Sequence, residues 1–132
     1  MKQEELLTNK TVNTVQEDIK ATILGNVPSK SNLYMIARNR LIKTKRLKEY
    51  EDSFYIQLPP ALRNLDITGY FEFEIDVFYP SQRADLDNSL KVVLDCLQKT
   101  KTIRNDNRCT RIIANKALDK DNPRIEFTIR PV

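Results

Sequence analysis

A chain of 132 residues with 40% hydrophobic and 30% charged side chains has the size and balance of one folded domain with a real core, and its two glycines exclude a linker or low-complexity segment. A net charge of +4 and a sequence pI near 9.1 suit a polyanionic partner. Histidine is absent, which excludes Ser-His-Asp and Cys-His nucleophile systems and every imidazole-based zinc site; Cys96 and Cys109 are too few for a disulfide framework and read as small buried hydrophobes.

Residues 1–18 read as a polar N-terminal arm with scattered apolar positions, preceding one domain over residues 19–132. The start carries no long apolar segment, so a cytoplasmic protein without membrane contact is expected. Ile19 to Leu24 reads as a strand, ended by a turn at Gly25-Asn26-Val27-Pro28-Ser29. The stretch from Ser29 to Lys48 is strongly basic. Arg38, Arg40, Lys43, Lys45, Arg46 and Lys48 follow one another without an acid between them. Such a run is either a solvated loop or a phosphate-contacting arm, with Tyr34 available for stacking.

The spacing of Leu47, Tyr50, Phe54 and Leu58 predicts a helix over residues 44–58, capped by Thr44 and stopped by Pro59-Pro60. Residues 70–79 alternate: Phe71, Phe73, Ile75, Val77 and Tyr79 share one face, while Tyr70, Glu72, Glu74 and Asp76 share the other, as in a half-buried strand. Leu86, Leu90, Val93, Leu94 and Leu97 form one apolar stripe and predict a helix over residues 86–99. On it Asp87, Lys91 and Asp95 line one polar edge, because each step of four residues advances only about 40°. Residues 110–117 and 124–130 read as strands around a turn at Asp119–Pro123, together an antiparallel hairpin. The fold class that follows is a mixed α/β (α+β) single domain, a sheet of about four strands with helices packed on it.

The chemistry concentrates in Arg83-Ala84-Asp85-Leu86-Asp87-Asn88-Ser89-Leu90-Lys91. Two acids one residue apart at a strand-to-helix junction point to a common cleft. Hard divalent cations such as Mg²⁺ are commonly held by one or two carboxylates plus waters and substrate phosphate. A metal so held acidifies water and neutralises charge developing on a phosphodiester, and Lys91 adds positive charge beside it. A chain reversal after the helix would bring Asp106 back beside the first two acids. Against this stands a structural reading: aspartates before an amphipathic helix are ordinary cap and first-turn residues, and Lys91 can simply pair along the helix.

The order Asp85-Leu86-Asp87-Asn88, Lys91, Leu94-Asp95-Cys96-Leu97, Asn105-Asp106, Lys116 and Pro123-Arg124-Ile125-Glu126 resembles the RusA family of Holliday-junction resolvases. So does Gly25-Asn26-Val27-Pro28-Ser29-Lys30-Ser31-Asn32, which is similar to the family's Pro-Ser-x-Asn loop after the first strand. The resemblance implies a dimeric RusA-like fold and an Mg²⁺-dependent endodeoxyribonuclease, with Mn²⁺ an acceptable substitute. It further implies a homodimer that makes paired symmetric nicks in four-way or branched DNA during recombination and repair, of a kind found in bacterial genomes and prophages. It makes Asp85, Asp87 and Asp106 the catalytic metal-binding acids and Lys91 the catalytic lysine, with Asp95, Asn88 and Asn105 accessory. Lys30, Arg38, Arg40, Lys43, Lys45, Arg46 and Arg83 become the DNA-binding surface. Where the family often carries paired acids, this chain has Asn105-Asp106, and asparagine supplies no charge to a metal. The rival reading is a non-catalytic nucleic-acid-binding module of the same fold. A hydrolase of small phosphorylated substrates is disfavoured by the basic arm and by the lack of a glycine-rich phosphate loop.

Overall fold

The computed structural model describes residues 17–132, so the expected arm lies outside the described residues except for Glu17 and Asp18. In chain order the elements are β1 (Ile19–Leu24), β2 (Tyr34–Ala37), β3 (Arg40–Lys43), α1 (Lys45–Gln57), β4 (Phe71–Tyr79), α2 (Leu86–Lys99), β5 (Cys109–Leu118) and β6 (Arg124–Pro131). Strands β1, β6, β4 and β5 form one sheet in that order, with β4 and β5 parallel and the other pairs antiparallel; β2 and β3 form a separate two-stranded sheet. The expected mixed α+β sheet of four strands is present.

The period-two pattern of β4 is realised in full. Phe71, Phe73, Ile75, Val77 and Tyr79 are buried, and the residues between them are half-exposed. Ile125, Phe127 and Ile129 of β6 continue this inner face. Leu47, Tyr50 and Phe54 of α1 and Val93 and Leu97 of α2 close over it, with the Phe54 and Phe127 rings nearly parallel and their centroids 6.3 Å apart. Cys96 lies buried in this layer, where burial pushes its thiol up to about 12. Thr44 caps α1 as expected, its hydroxyl accepting the Leu47 N–H at 3.1 Å.

The hairpin expected between β5 and β6 is not formed. The turn at Asp119–Pro123 exists, but its strands flank β4 on opposite sides. Alternation identifies a strand and says nothing about its partner. Strands either side of a third lie roughly 10 Å apart, and five residues reach about 16 Å, so the connection can step over the end of β4. Arg124 secures the crossing: its guanidinium stacks 3.8 Å from the Phe78 ring and donates to Asp119 at 2.8 Å. The parallel β4–β5 pair follows from α2, which serves as the crossover a parallel pair needs.

The basic segment is not the open loop that its charge suggests. It folds as the β2–β3 hairpin followed by the first turns of α1. Arg38 and Asn39 form the turn with φ of 53° and 61°, the two left-handed residues of a two-residue hairpin. Without the usual glycine there, the turn has no sequence signature.

Glu51 ties three elements together. Its side chain is only 9% exposed and accepts from Lys43 of β3 at 2.8 Å and from Lys99 of α2 at 2.9 Å. Burial alone would raise its pKa, but the two ammonium groups outweigh burial and hold the carboxyl below its ordinary value. The stabilisation is therefore present above the unfolded carboxylate pKa, roughly 4.3, and is lost as pH falls through the folded value. Because both lysines are partly in water, Glu51→Gln should cost only about 1–2 kcal/mol at pH 7. Urea unfolding at pH 7 and pH 3 should show that deficit at neutral pH and little of it in acid; a deficit independent of pH would contradict the tie.

Candidate active site

The end of β4 sets the site. Pro80 closes the strand, a short loop follows, and Asp85 stands as the N-cap residue of α2. Tyr79, the last residue of β4, donates its hydroxyl to Ser89 Oγ at 2.6 Å, a fully buried bond that ties the strand end to the first turn of the helix. Burial raises the Tyr79 pKa, and the negative charges of Asp85 and Asp87 add to the rise. Lys116 of β5 fixes the intervening loop, donating to the carbonyls of Gln82 and Ala84 at 2.7 Å each while its ammonium lies 5.6 Å from the Tyr79 ring.

The two readings of the paired aspartates are separable in this geometry. Asp85 occupies the cap position, yet its carboxylate makes no capping hydrogen bond; only its carbonyl serves the helix, accepting the Ser89 N–H at 3.3 Å. Asp87 sits in the first turn, where the helix dipole favours a negative charge. Both carboxylates are on exposed residues and, among the described residues, neither has a hydrogen-bond or ion-pair partner. Elsewhere carboxylates such as Glu51, Asp66, Asp119 and Glu126 are held by lysine or arginine.

The loop after β1 meets the start of α2 across sixty residues of sequence. Asn88 donates from Nδ2 to the Pro28 carbonyl at 3.0 Å. Between them lies a cleft of about 200 Å³ whose lining includes Ser29, Lys30, Arg83, Asp85 and Asn88. Asp85 thus shares a concave surface with two exposed cations.

Further along the helix, Lys91 donates to Asp95 at 3.3 Å. That bond first, and the charges of Asp106 and Tyr34 after it, raise the Lys91 pKa and keep it an ammonium. Lys91 and Asp95 line a larger cavity of about 540 Å³ between α2, α1 and the hairpin, with Tyr34, Lys43 and Glu51 on its walls. Asp106 begins a 3-10 turn capped by Asn105, whose Oδ1 accepts the Asn107 N–H at 2.9 Å. The Asp106 N–H donates to Gln98 Oε1 at 2.9 Å, which fastens it beside the last turn of α2.

Asp106 therefore approaches Lys91 but not the paired aspartates. Asp87 and Gln98 are eleven residues apart on one helix, about 16 Å along its axis. Among the described residues no three acidic or thiol side chains gather to hold a metal ion. The pair Asp85 and Asp87 still suits a hard divalent cation, which takes one or two carboxylates and fills its remaining positions with water and phosphate oxygens.

Of the basic residues expected at DNA, Lys30, Arg38, Arg40, Lys45 and Arg83 are exposed, Lys45 with only a 3.9 Å contact to Glu49. Lys43 and Arg46 have structural work: the first is held by Glu51, and the second donates to the Asn26 carbonyl and lies 5.9 Å from the Tyr50 ring. Sequence reasoning did not single out Tyr79, Ser89 or Gln98, and gave Lys116 no role. Each acts through a contact at least eight residues away or on another element, which periodicity does not reveal.

Comparison with known proteins identifies the family. The sequence profile of the family described as Endodeoxyribonuclease RusA matches residues 25–130. A relative from Aquifex aeolicus (strain VF5), Crossover junction endodeoxyribonuclease RusA, is 27% identical over 104 residues, which covers 77% of this chain and 82% of that protein.

If the buried Tyr79–Ser89 bond anchors the start of α2, Tyr79→Phe and Ser89→Ala should each cost about 1–2 kcal/mol. Since both remove one bond, the double variant should cost less than the sum. Chemical denaturation of the four proteins measures this, and strict additivity would show that the pair does not act together.

Proposed function

The chain belongs to the RusA family of endodeoxyribonucleases, and on that premise we propose that it is a divalent-metal-dependent resolvase of four-way DNA junctions. It would act as a homodimer making paired symmetric nicks in DNA recombination and repair. The observation that carries this reading is a pair of unpartnered carboxylates, Asp85 in a cleft with Lys30 and Arg83 and Asp87 two residues on in the first turn of α2, at the positions where the family resemblance expects metal-binding acids.

Mg²⁺, or Mn²⁺ in its place, would neutralise charge on the scissile phosphate and acidify water for attack when bound. Asp85 and Asp87 would hold it. Lys91, kept protonated by Asp95, presents a positive charge for the phosphate or the departing oxygen. Lys30 and Arg83 draw the sugar-phosphate chain into the cleft that Asp85 lines. A junction has approximate two-fold symmetry, so two identical sites related by a C2 axis suit two matched cuts. A second copy also offers a way to bring an Asp106 to an Asp85–Asp87 pair, which α2 keeps apart from its own.

A non-catalytic module of this fold would bind junctions equally well and would lose binding with salt in the same manner. Nicking separates the two. Purified protein with a synthetic four-way junction should cut symmetrically in Mg²⁺ and not in EDTA, with little cutting of linear duplex. Asp87→Asn and Asp106→Asn should each lower the rate by at least about 100-fold while junction binding survives. Mixing these two inactive variants should restore unpaired nicks if the acids meet across the dimer, because one site of the mixed dimer is then intact. Binding without nicking under every metal condition would favour the module.

A further inference from the structure

We propose that the β2–β3 hairpin is a wedge that enters the branch point of the DNA and separates stacked bases beside the cleavage site, an inference that rests on the junction-resolving reading above. The hairpin stands apart from the main sheet, as a two-stranded sheet of its own. Its outer half is apolar yet exposed: Ile36 is 76% exposed and Leu41 70%, and Met35 and Ile42 are exposed as well. The register sets Ile36 opposite Leu41 and Met35 opposite Ile42, so each face of the blade carries an aliphatic pair. Contiguous exposed apolar surface of this kind marks a contact surface.

Charge decides what fills it. Between residues 30 and 48 there are seven lysines and arginines and no acid. Arg38 and Arg40 flank the tip, on a turn tight enough to leave the blade two strands wide. Packed against its own copy, this hairpin would face like charge with like charge. DNA offers a polyanionic backbone to the arginines and flat apolar bases to the aliphatic pairs, and apolar side chains inserted at base steps are an established means of unstacking a duplex.

The blade is also continuous with the candidate active site. Residues opposite one another in an antiparallel pair share a face, so Ile36 and Leu41 lie on the same face as Tyr34 and Lys43, which line the cavity containing Lys91 and Asp95. Tyr34 is two residues from Ile36, about 7 Å along the strand and equal to about two stacked base steps. A base displaced by Ile36 and Leu41 would then find the Tyr34 ring within reach, and its strand would run toward Lys91. The Glu51–Lys43 pair, at 2.8 Å, holds the root of the blade against α1.

The test uses a four-way junction with 2-aminopurine at the branch point, in EDTA so that no strand is cut. Wild-type protein should raise the fluorescence on binding, as the base leaves its stack. The double variant Ile36→Thr/Leu41→Thr places β-branched, strand-forming residues at both exposed positions while removing the apolar blade. It should melt like the wild type, lose the fluorescence rise, and lose roughly tenfold in preference for junction over duplex. Ile36→Phe keeps an apolar blade and should retain the rise. An unchanged signal and preference in the double variant would overturn the wedge while leaving the nuclease reading intact, as would conversion of that variant from dimer to monomer in sedimentation, which would assign the face to a second copy. A wild-type protein that binds no junction would defeat both.

Discussion

The structure depends on the position of β4. It is hydrogen-bonded on both edges, to β6 and to β5, and its inward face is buried from Phe71 to Tyr79. A strand held in this way has no freedom of register, since a slip of one residue would turn its aromatic face toward water and its acids toward the core. The fixed strand delivers Tyr79 to the mouth of α2, and the buried bond to Ser89 converts a fixed strand end into a fixed helix start. The carboxylates of Asp85 and Asp87 are placed at the carboxyl end of a central strand, where open α/β sheets commonly build their ligand sites.

Among the described residues, several acids that hold the fold are paired with cations, and the three acids of the candidate site are not. Glu51, Asp66, Asp119 and Glu126 are neutralised by lysine or arginine and serve the fold. Asp85, Asp87 and Asp106 have no such partner among the described residues. Asp85 lies in a concave surface beside Lys30 and Arg83 without pairing with either, which forgoes stabilisation that these cations could supply and is the arrangement expected of a group meant for a cation or for reacting phosphate. Helix α2 then works as a beam: the paired acids stand at its start, Lys91 and Asp95 on its side, and Asp106 is clipped to its end through Gln98. The same rigidity keeps Asp106 from its own Asp85 and Asp87.

Elements with strong, regular patterning were legible from residues alone. The alternation of β4 and the apolar stripe of α2 mark them to within a residue or two, and Thr44 capped α1 where expected. What failed was non-local. Nothing in residues 109–131 says that β4 intrudes between β5 and β6, because strand partners are chosen by the whole sheet. The β2–β3 hairpin escaped because Arg38-Asn39 adopts left-handed geometry without a glycine to announce it. For the site, Asp85 and Asp87 were visible as candidates, but only the missing side-chain cap bond separates the chemical reading of Asp85 from the structural one. The resemblance to RusA nucleases named the acids; the fold supplied Tyr79, Ser89, Lys116 and Gln98, the residues that hold them in place.

The central proposal is that Asp85 and Asp87 of one copy and Asp106 of a second copy serve one divalent ion. Paramagnetic Mn²⁺ titrated into isotope-labelled protein tests it most directly, because amide resonances close to the ion broaden first. The account predicts that signals around Asp85–Asn88 and around Asn105–Asn107 broaden together within the first equivalent of metal per site. Broadening confined to one of these segments, or centred on the acidic open face of the sheet around Glu74 and Asp76, would contradict it.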